Sequence, residues 1–153
     1  MNAACDPVTG EVLGILEEYV GQREPRMAAP ELATRASGLT SSFLRGKSLD
    51  EDKVRNVLTR ADCIVAHNAG FDRRMLTSLY PWAGNLKNWK CSLNDIKWET
   101  EVRMPETNLQ ALLAEHGIKT EEAHRARSDA LGMLQLLSRR HAGKTLLAQL
   151  MGW

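Results

Sequence analysis

The chain has 153 residues, 43% of them apolar and 25% charged, with 20 lysines and arginines against 19 aspartates and glutamates. That length suits one domain burying about 68–70% of its unfolded surface, and the composition argues against a membrane-spanning or disordered chain. A net charge of +1 excludes a chain-wide field that would recruit polyanions.

Cys5, Cys63 and Cys91 are odd in number, widely spaced and without a C-x-x-C pair. They read as reduced thiols, not as a disulfide framework or a thiolate zinc site. The first residues carry neither a basic stretch nor an apolar run, so no signal peptide is expected and the localisation reading is cytoplasmic.

In chain order, Thr9-Gly10 reads as a turn between residues 1–5 and the apolar pattern Val12, Ile15, Leu16, Tyr19, Val20, which predicts an antiparallel hairpin with only a stub of first strand. Residues 21–46, rich in Pro, Gly, Ser and Thr, read as a long surface connection with one helical turn over 30–36. Ser48-Leu49-Asp50-Glu51 has the spacing of a capping box and predicts a helix over 49–60, with Val54, Val57 and Leu58 facing inward.

The run from Cys63 to Ala66 is short, apolar and rich in β-branched residues, and His67-Asn68-Ala69-Gly70 breaks it. A strand therefore meets a polar corner, and Asp72 falls in the first turn of the next helix. That helix should present Phe71, Met75, Leu76 and Leu79 inward and stop at Pro81. Another strand is expected over 90–96. Thr107-Asn108-Leu109-Gln110 is a second capping-box pattern, whose helix should end at Gly117 with Ile118 making the apolar contact of a Schellman stop. A helix over 126–140 carries Ala126, Ala130, Met133, Leu134 and Leu137 on one face, and Leu146, Leu147, Leu150 and Met151 predict a short terminal one. Strands alternating with helices after a hairpin imply a single α/β domain with helices on a mixed sheet.

Two segments carry the chemistry. His67-Asn68-Ala69-Gly70-Phe71-Asp72 resembles the second motif of the DEDDh 3'-5' exonucleases, and His124 with Asp129 resembles their third. These are the DnaQ-like and RNase T-like enzymes of the ribonuclease H-like superfamily. The resemblance extends from Gly10 through Gly38-Leu39-Thr40 and Asn108-Leu109 to the last long helix. It implies a ribonuclease H-like mixed sheet flanked by helices, and metal-dependent release of nucleotides from the 3' ends of single-stranded DNA or RNA. By that resemblance Asp72 and Asp129 are ligands of Mg²⁺ or Mn²⁺, and His124 is the general base. His67, Asn68, Phe71, Leu39 and Arg125 fall where substrate is contacted, and Arg125 and Arg127 are free to approach a phosphate. The types suit the work: a two-metal clamp needs carboxylates holding ions roughly 3.5–4 Å apart, and histidine titrates near neutrality.

Each residue also has a plain structural reading. Asp72 and Asp129 are first-turn acids that a helix dipole favours by about 0.3–1 kcal/mol, His67 and Asn68 can cap a helix, and Phe71 can be core. His116 sits at a helix end, His141 at the surface, and Trp82, Trp89, Trp98 and Trp153 read as packing or surface anchoring, with stacking on bases as the alternative. Arg73, Arg74, Lys87 and Lys90 read as solvated charge. Gly143-Lys144-Thr145 resembles a phosphate loop, but Ser138 stands where its first glycine belongs and no strand is expected before it.

The family's first motif, D-x-E on a central strand, has no counterpart before the hairpin. Glu99-Thr100-Glu101 has the spacing but lies between the other two motifs. The domain over 1–153 is thus expected to lack the first central strand and two of four metal-binding acids, so turnover should be impaired. An inactive nucleic-acid-binding or protein-interaction module of the same descent is the alternative, and open strand edges would invite a homo-oligomer or a complementing segment.

Overall fold

The computed structural model describes residues 1–27, 30–120 and 125–153. The opening hairpin forms with β1 at Asn2–Cys5 and β2 at Val12–Glu17, antiparallel, with register shifts at Asn2/Ala3 and Ala4/Cys5. Its turn is built by Asp6, whose carboxylate accepts from the backbone N–H groups of Val8 at 2.7 Å and Thr9 at 2.8 Å. Those bonds hold the Asp6 carboxyl below the usual carboxylate range.

The connection that follows carries α1 at Glu31–Ser37 and α2 at Ser41–Leu44, the latter capped by Thr40 accepting from Phe43. Helix α3 covers Glu51–Thr59, not 49–60: Asp50 takes the N-cap and accepts from the Lys53 N–H at 3.1 Å. A carboxylate two residues after Ser48 is the stronger acceptor at a helix start, and it sets the boundary.

Strand β3, Ile64–Ala66, pairs in parallel with β4, Trp89–Cys91, and α4 at Ala69–Leu79 links them through a 3₁₀ turn at Pro81–Asn85. Pro81 stops α4 as expected. The face of α4 does not follow expectation: Ala69 is its buried residue, while Phe71 and Met75 stand 52% and 50% exposed. Trp82 fastens this turn to α3, donating to Glu51 at 2.8 Å and lying under the Arg55 guanidinium at 4.4 Å.

A π-helical turn at Trp98–Val102 precedes α5 at Leu109–Glu115, α6 at Ala126–Leu137 and α7 at Leu146–Met151. Helix α5 ends as its sequence requires, with Gly117 at φ +65, its N–H donating to Ala114 and the Ile118 N–H to Leu113. Helix α6 stops at Leu137 because residues 140–145 turn back as β5, Arg140–His141, against β6, Lys144–Thr145. A strand does precede Gly143, therefore, though it is two residues long and no phosphate loop results.

The molecule is mixed α/β, but the single mixed sheet is not formed among the described residues; its strands make three separate pairs. The reason lies in the core. Ile96, Trp98, Met104, Leu112, Leu113, Ile118, Leu136, Leu137, Leu146, Leu147 and Leu150 form one cluster, with Cys5, Val12 and Val65 only at its margin. Burial is concentrated on the second half of the chain, while apolar residues of the first half, Leu13, Ile15 and Leu16 of β2 among them, stay exposed and are not drawn under a common sheet. Among the described residues no helix is long and apolar enough to cross a membrane.

Candidate functional site

His67 stands at the end of β3 and is half-buried. Its Nε2 lies 2.8 Å from the Thr107 carbonyl and its Nδ1 2.9 Å from the Ser92 hydroxyl. A carbonyl only accepts, so Nε2 carries the hydrogen and Ser92, fully buried, donates to Nδ1. The ring is held neutral. Burial drives its pKa below the ordinary 6.5, against the Thr107 bond and the nearby Asp72 charge, which both act upward.

These bonds place His67 as a brace. They join the end of β3 to residue 107, immediately before the Asn108 cap of α5, which accepts from Ala111 at 2.9 Å. Thr107 therefore spends its carbonyl on His67, and the expected capping box is replaced by an asparagine cap. Gln110, freed from the box, donates to Asp129 Oδ1 at 2.8 Å. Three helix starts are thus linked in series: α4 through His67 beside Asp72, α5 through Thr107 and Gln110, and α6 through Asp129. Each helix start contributes partial positive charge, and each of α4 and α6 carries one carboxylate in its first turn.

Asp72 is exposed, yet surrounding protein displaces enough water to push its carboxyl above the ordinary 3.8, opposed by a backbone hydrogen bond and by His67. Asn68 takes the N-cap position of α4 in the left-handed conformation, φ +70, and makes no side-chain cap. Its carbonyl accepts from the Phe71 N–H at 2.9 Å, and with Phe71 out of the core the ring is available at the surface beside Asp72.

At the same end of α6, Arg125 is the N-cap residue, and a Cβ built on Gly38 would stand 3.5 Å from an Arg125 Nη. The Gly38-Leu39 loop is thereby brought to the start of α6, with Leu39 half-buried. Arg127 is not free: its Nε donates to Glu18 at 2.6 Å, and Arg125 is engaged as well. His124 lies outside the described residues. Among those described, no three His, Cys, Asp or Glu side chains gather at one point.

Sequence reasoning missed Gln110 as the partner of Asp129, and Ser92 and Thr107 as the partners of His67. A glutamine three residues after a threonine signals a cap locally; only the fold could turn it toward another helix. Trp98 packs as expected, buried with its indole donating to the Ser92 carbonyl at 2.6 Å. All three cysteines are free thiols, and burial pushes the Cys5 and Cys63 thiols up, away from nucleophilic use. No family model, curated protein or solved structure matches this chain.

Proposed function

We propose that this chain is a domain of 3'-5' exonuclease type that engages the 3' ends of single-stranded DNA or RNA and hydrolyses them slowly. The observation that carries this reading is that the starts of α4 and α6, each with an acid in its first turn, are tied to the start of α5: His67, just before α4, bonds the Thr107 carbonyl, and Gln110 of α5 donates to Asp129. The motifs around both acids, ending in Asp72 and Asp129, supply the reaction class.

The donor set sets the rate. Magnesium is commonly held by one or two carboxylates together with substrate phosphates, so Asp72 and Asp129, the latter oriented through one oxygen by Gln110, suit one ion. They do not supply the carboxylates of a two-ion clamp. A bound Mg²⁺ or Mn²⁺ would polarise a phosphoryl oxygen. The chain's own part is to hold the two acids at helix starts and offer Phe71 as a surface for a terminal base; by the resemblance of its motif, His124 is the residue to take a proton from water. Lacking the charge stabilisation of a full centre, turnover should run about a thousandfold or more below that of a complete enzyme.

The test is a 3'-end assay on labelled single-stranded DNA and RNA with Mg²⁺ and with Mn²⁺, for the wild type, Asp72→Ala and Asp129→Ala. Slow metal-dependent shortening that both variants lose is the expected result. Equal inertness of all three proteins would end the enzyme reading. The second reading, a nucleic-acid-binding module without turnover, is favoured by the Gln110–Asp129 bond, which occupies a carboxylate oxygen that a metal would want. It predicts salt-sensitive oligonucleotide binding without shortening.

A further inference from the structure

A cleft of about 650 Å³ opens where the 3₁₀ turn runs into β4, lined by Arg73, Asn85, Leu86, Lys87, Asn88 and Trp89. It adjoins a shallower hollow of about 400 Å³ that shares Arg73 and adds Arg74, Thr77 and Ser78. No carboxylate lines either one. Elsewhere Arg35, Arg55, Arg60, Arg127 and Arg140 each face a glutamate. Arg73, Arg74 and Lys87 form no ion pair among the described residues, so three exposed cations converge with their charge uncompensated in a chain that is nearly neutral.

The wall of the cleft is also braced. Asn88, held at φ +59, donates its side-chain amide to the Asp62 carbonyl at 3.1 Å and accepts the Ile64 N–H at 2.9 Å, which pins this loop to the start of β3. The Trp89 indole nitrogen is buried without a hydrogen-bond partner, alone in this among the buried side-chain nitrogens and oxygens of the described residues. Guanidinium and ammonium groups around one opening, with side-chain amides beside them and no acid, are complementary to a phosphate oxyanion.

We infer that this cleft is a phosphate site, and that the phosphates it takes belong to the backbone of a single-stranded polynucleotide whose end lies at Asp72. The assignment of the polynucleotide rests on the proposed function. Arg73, the residue after Asp72 in the first turns of α4, lines both hollows, and Lys87 lines the larger one, so the cations lie at the same helix start as the acid. Free phosphate shares the same chemistry, and the test separates the two sources.

The experiment is salt-titrated fluorescence anisotropy of a labelled single-stranded oligothymidylate against the wild type, the Arg73→Ala/Lys87→Ala double variant and Lys87→Arg, with inorganic phosphate as a separate ligand. Losing two phosphate contacts should weaken binding and reduce the slope of log K against log salt by about 1.4, at about 0.7 per phosphate on single strands. Lys87→Arg should keep the wild-type slope. The Trp89 indole resonance, assigned with Trp89→Phe, should move on adding the oligonucleotide. All three cations are exposed, and thermal melts establish that the variants remain folded. An unchanged slope in the double variant with wild-type affinity would overturn the cleft and leave the proposed function standing. Binding of phosphate alone, with the Trp89 shift, would support the anion site and remove its polynucleotide. No binding of either ligand by the wild type overturns the inference.

Discussion

His67 shows how much one side chain can settle. By spacing alone it was as suited to touching substrate as to bracing a helix, and its two short bonds, to Ser92 and Thr107, commit it to bracing. The consequence is a pH signature. Its native pKa lies below the ordinary 6.5, so the unfolded chain binds the extra proton as pH falls from 6.5 toward the native value. Its stabilising contribution is complete above 6.5 and is lost through that window. Urea midpoints should therefore drop as pH falls below 6.5, and His67→Gln should lose that slope; parallel profiles would refute the brace. Asp72 acts in the opposite sense. Its native carboxyl titrates above the ordinary 3.8, so the native state holds the proton more tightly and loses stability as pH rises through that window, after which the folded chain bears the cost of an ionised group short of water. Asp72→Asn should raise the melting temperature at neutral pH while abolishing any shortening of 3' ends, a trade expected where an acid is kept for chemistry. A lowered melting temperature would mark Asp72 as a helix-dipole acid instead.

Elements were legible where their signals were local. The Gly117 stop of α5 and the Pro81 stop of α4 follow from conformations that only those residues adopt readily. Capping boxes were misjudged at both sites, for one reason: a nearer acceptor, Asp50 or Asn108, outcompeted the hydroxyl, and the displaced Gln110 found a tertiary partner. Gly10 marks a junction that only the fold reveals. It sits at φ +68, and a Cβ there would lie 2.2 Å from Thr145 Oγ1 and 2.7 Å from the Ala148 nitrogen. Thr145 caps α7 by accepting from Ala148, and donates to the Thr9 carbonyl at 3.0 Å, so the hairpin turn rests on the start of α7. Gly10→Ala combines strain and overpacking and should cost about 2–4 kcal/mol. Chemical denaturation measures it, and a loss below about 1 kcal/mol would mean the turn is not seated on α7.

Across the whole molecule, apolar surface is divided unevenly. The helical half owns the core, whereas Leu13 and Leu16 of the hairpin stand 69% and 72% exposed. Two-stranded sheets are marginal on their own and their outer edges are unpaired. The hairpin is fastened largely by polar contacts, Asn2 to the Val57 carbonyl, Asn56 to Glu17 and Arg140 to Glu11. Self-association through this face should appear in light scattering as mass rising with concentration, and Leu13→Lys should suppress it with little change in melting temperature. A monomer at every concentration would show that the hairpin needs no cover.

The mixed α/β class, the opening hairpin and the positions of Asp72 and Asp129 in helix first turns follow from the chain read alone, because each depends on contacts within a turn or two; the strand pair at 140–145 that shortens α6 does not. Tertiary structure decided what long-range contacts decide. It split the strands into three pairs because the core formed elsewhere, turned Phe71 outward, made His67 a neutral brace, spent Arg127 on Glu18, and drew Gln110 to Asp129. It also gathered Arg73, Lys87 and Trp89, which in the sequence read as solvated charge and a packing aromatic, around one opening. Side chains 14 or more residues apart can share a site only when the backbone between them has folded back, and no local pattern records that.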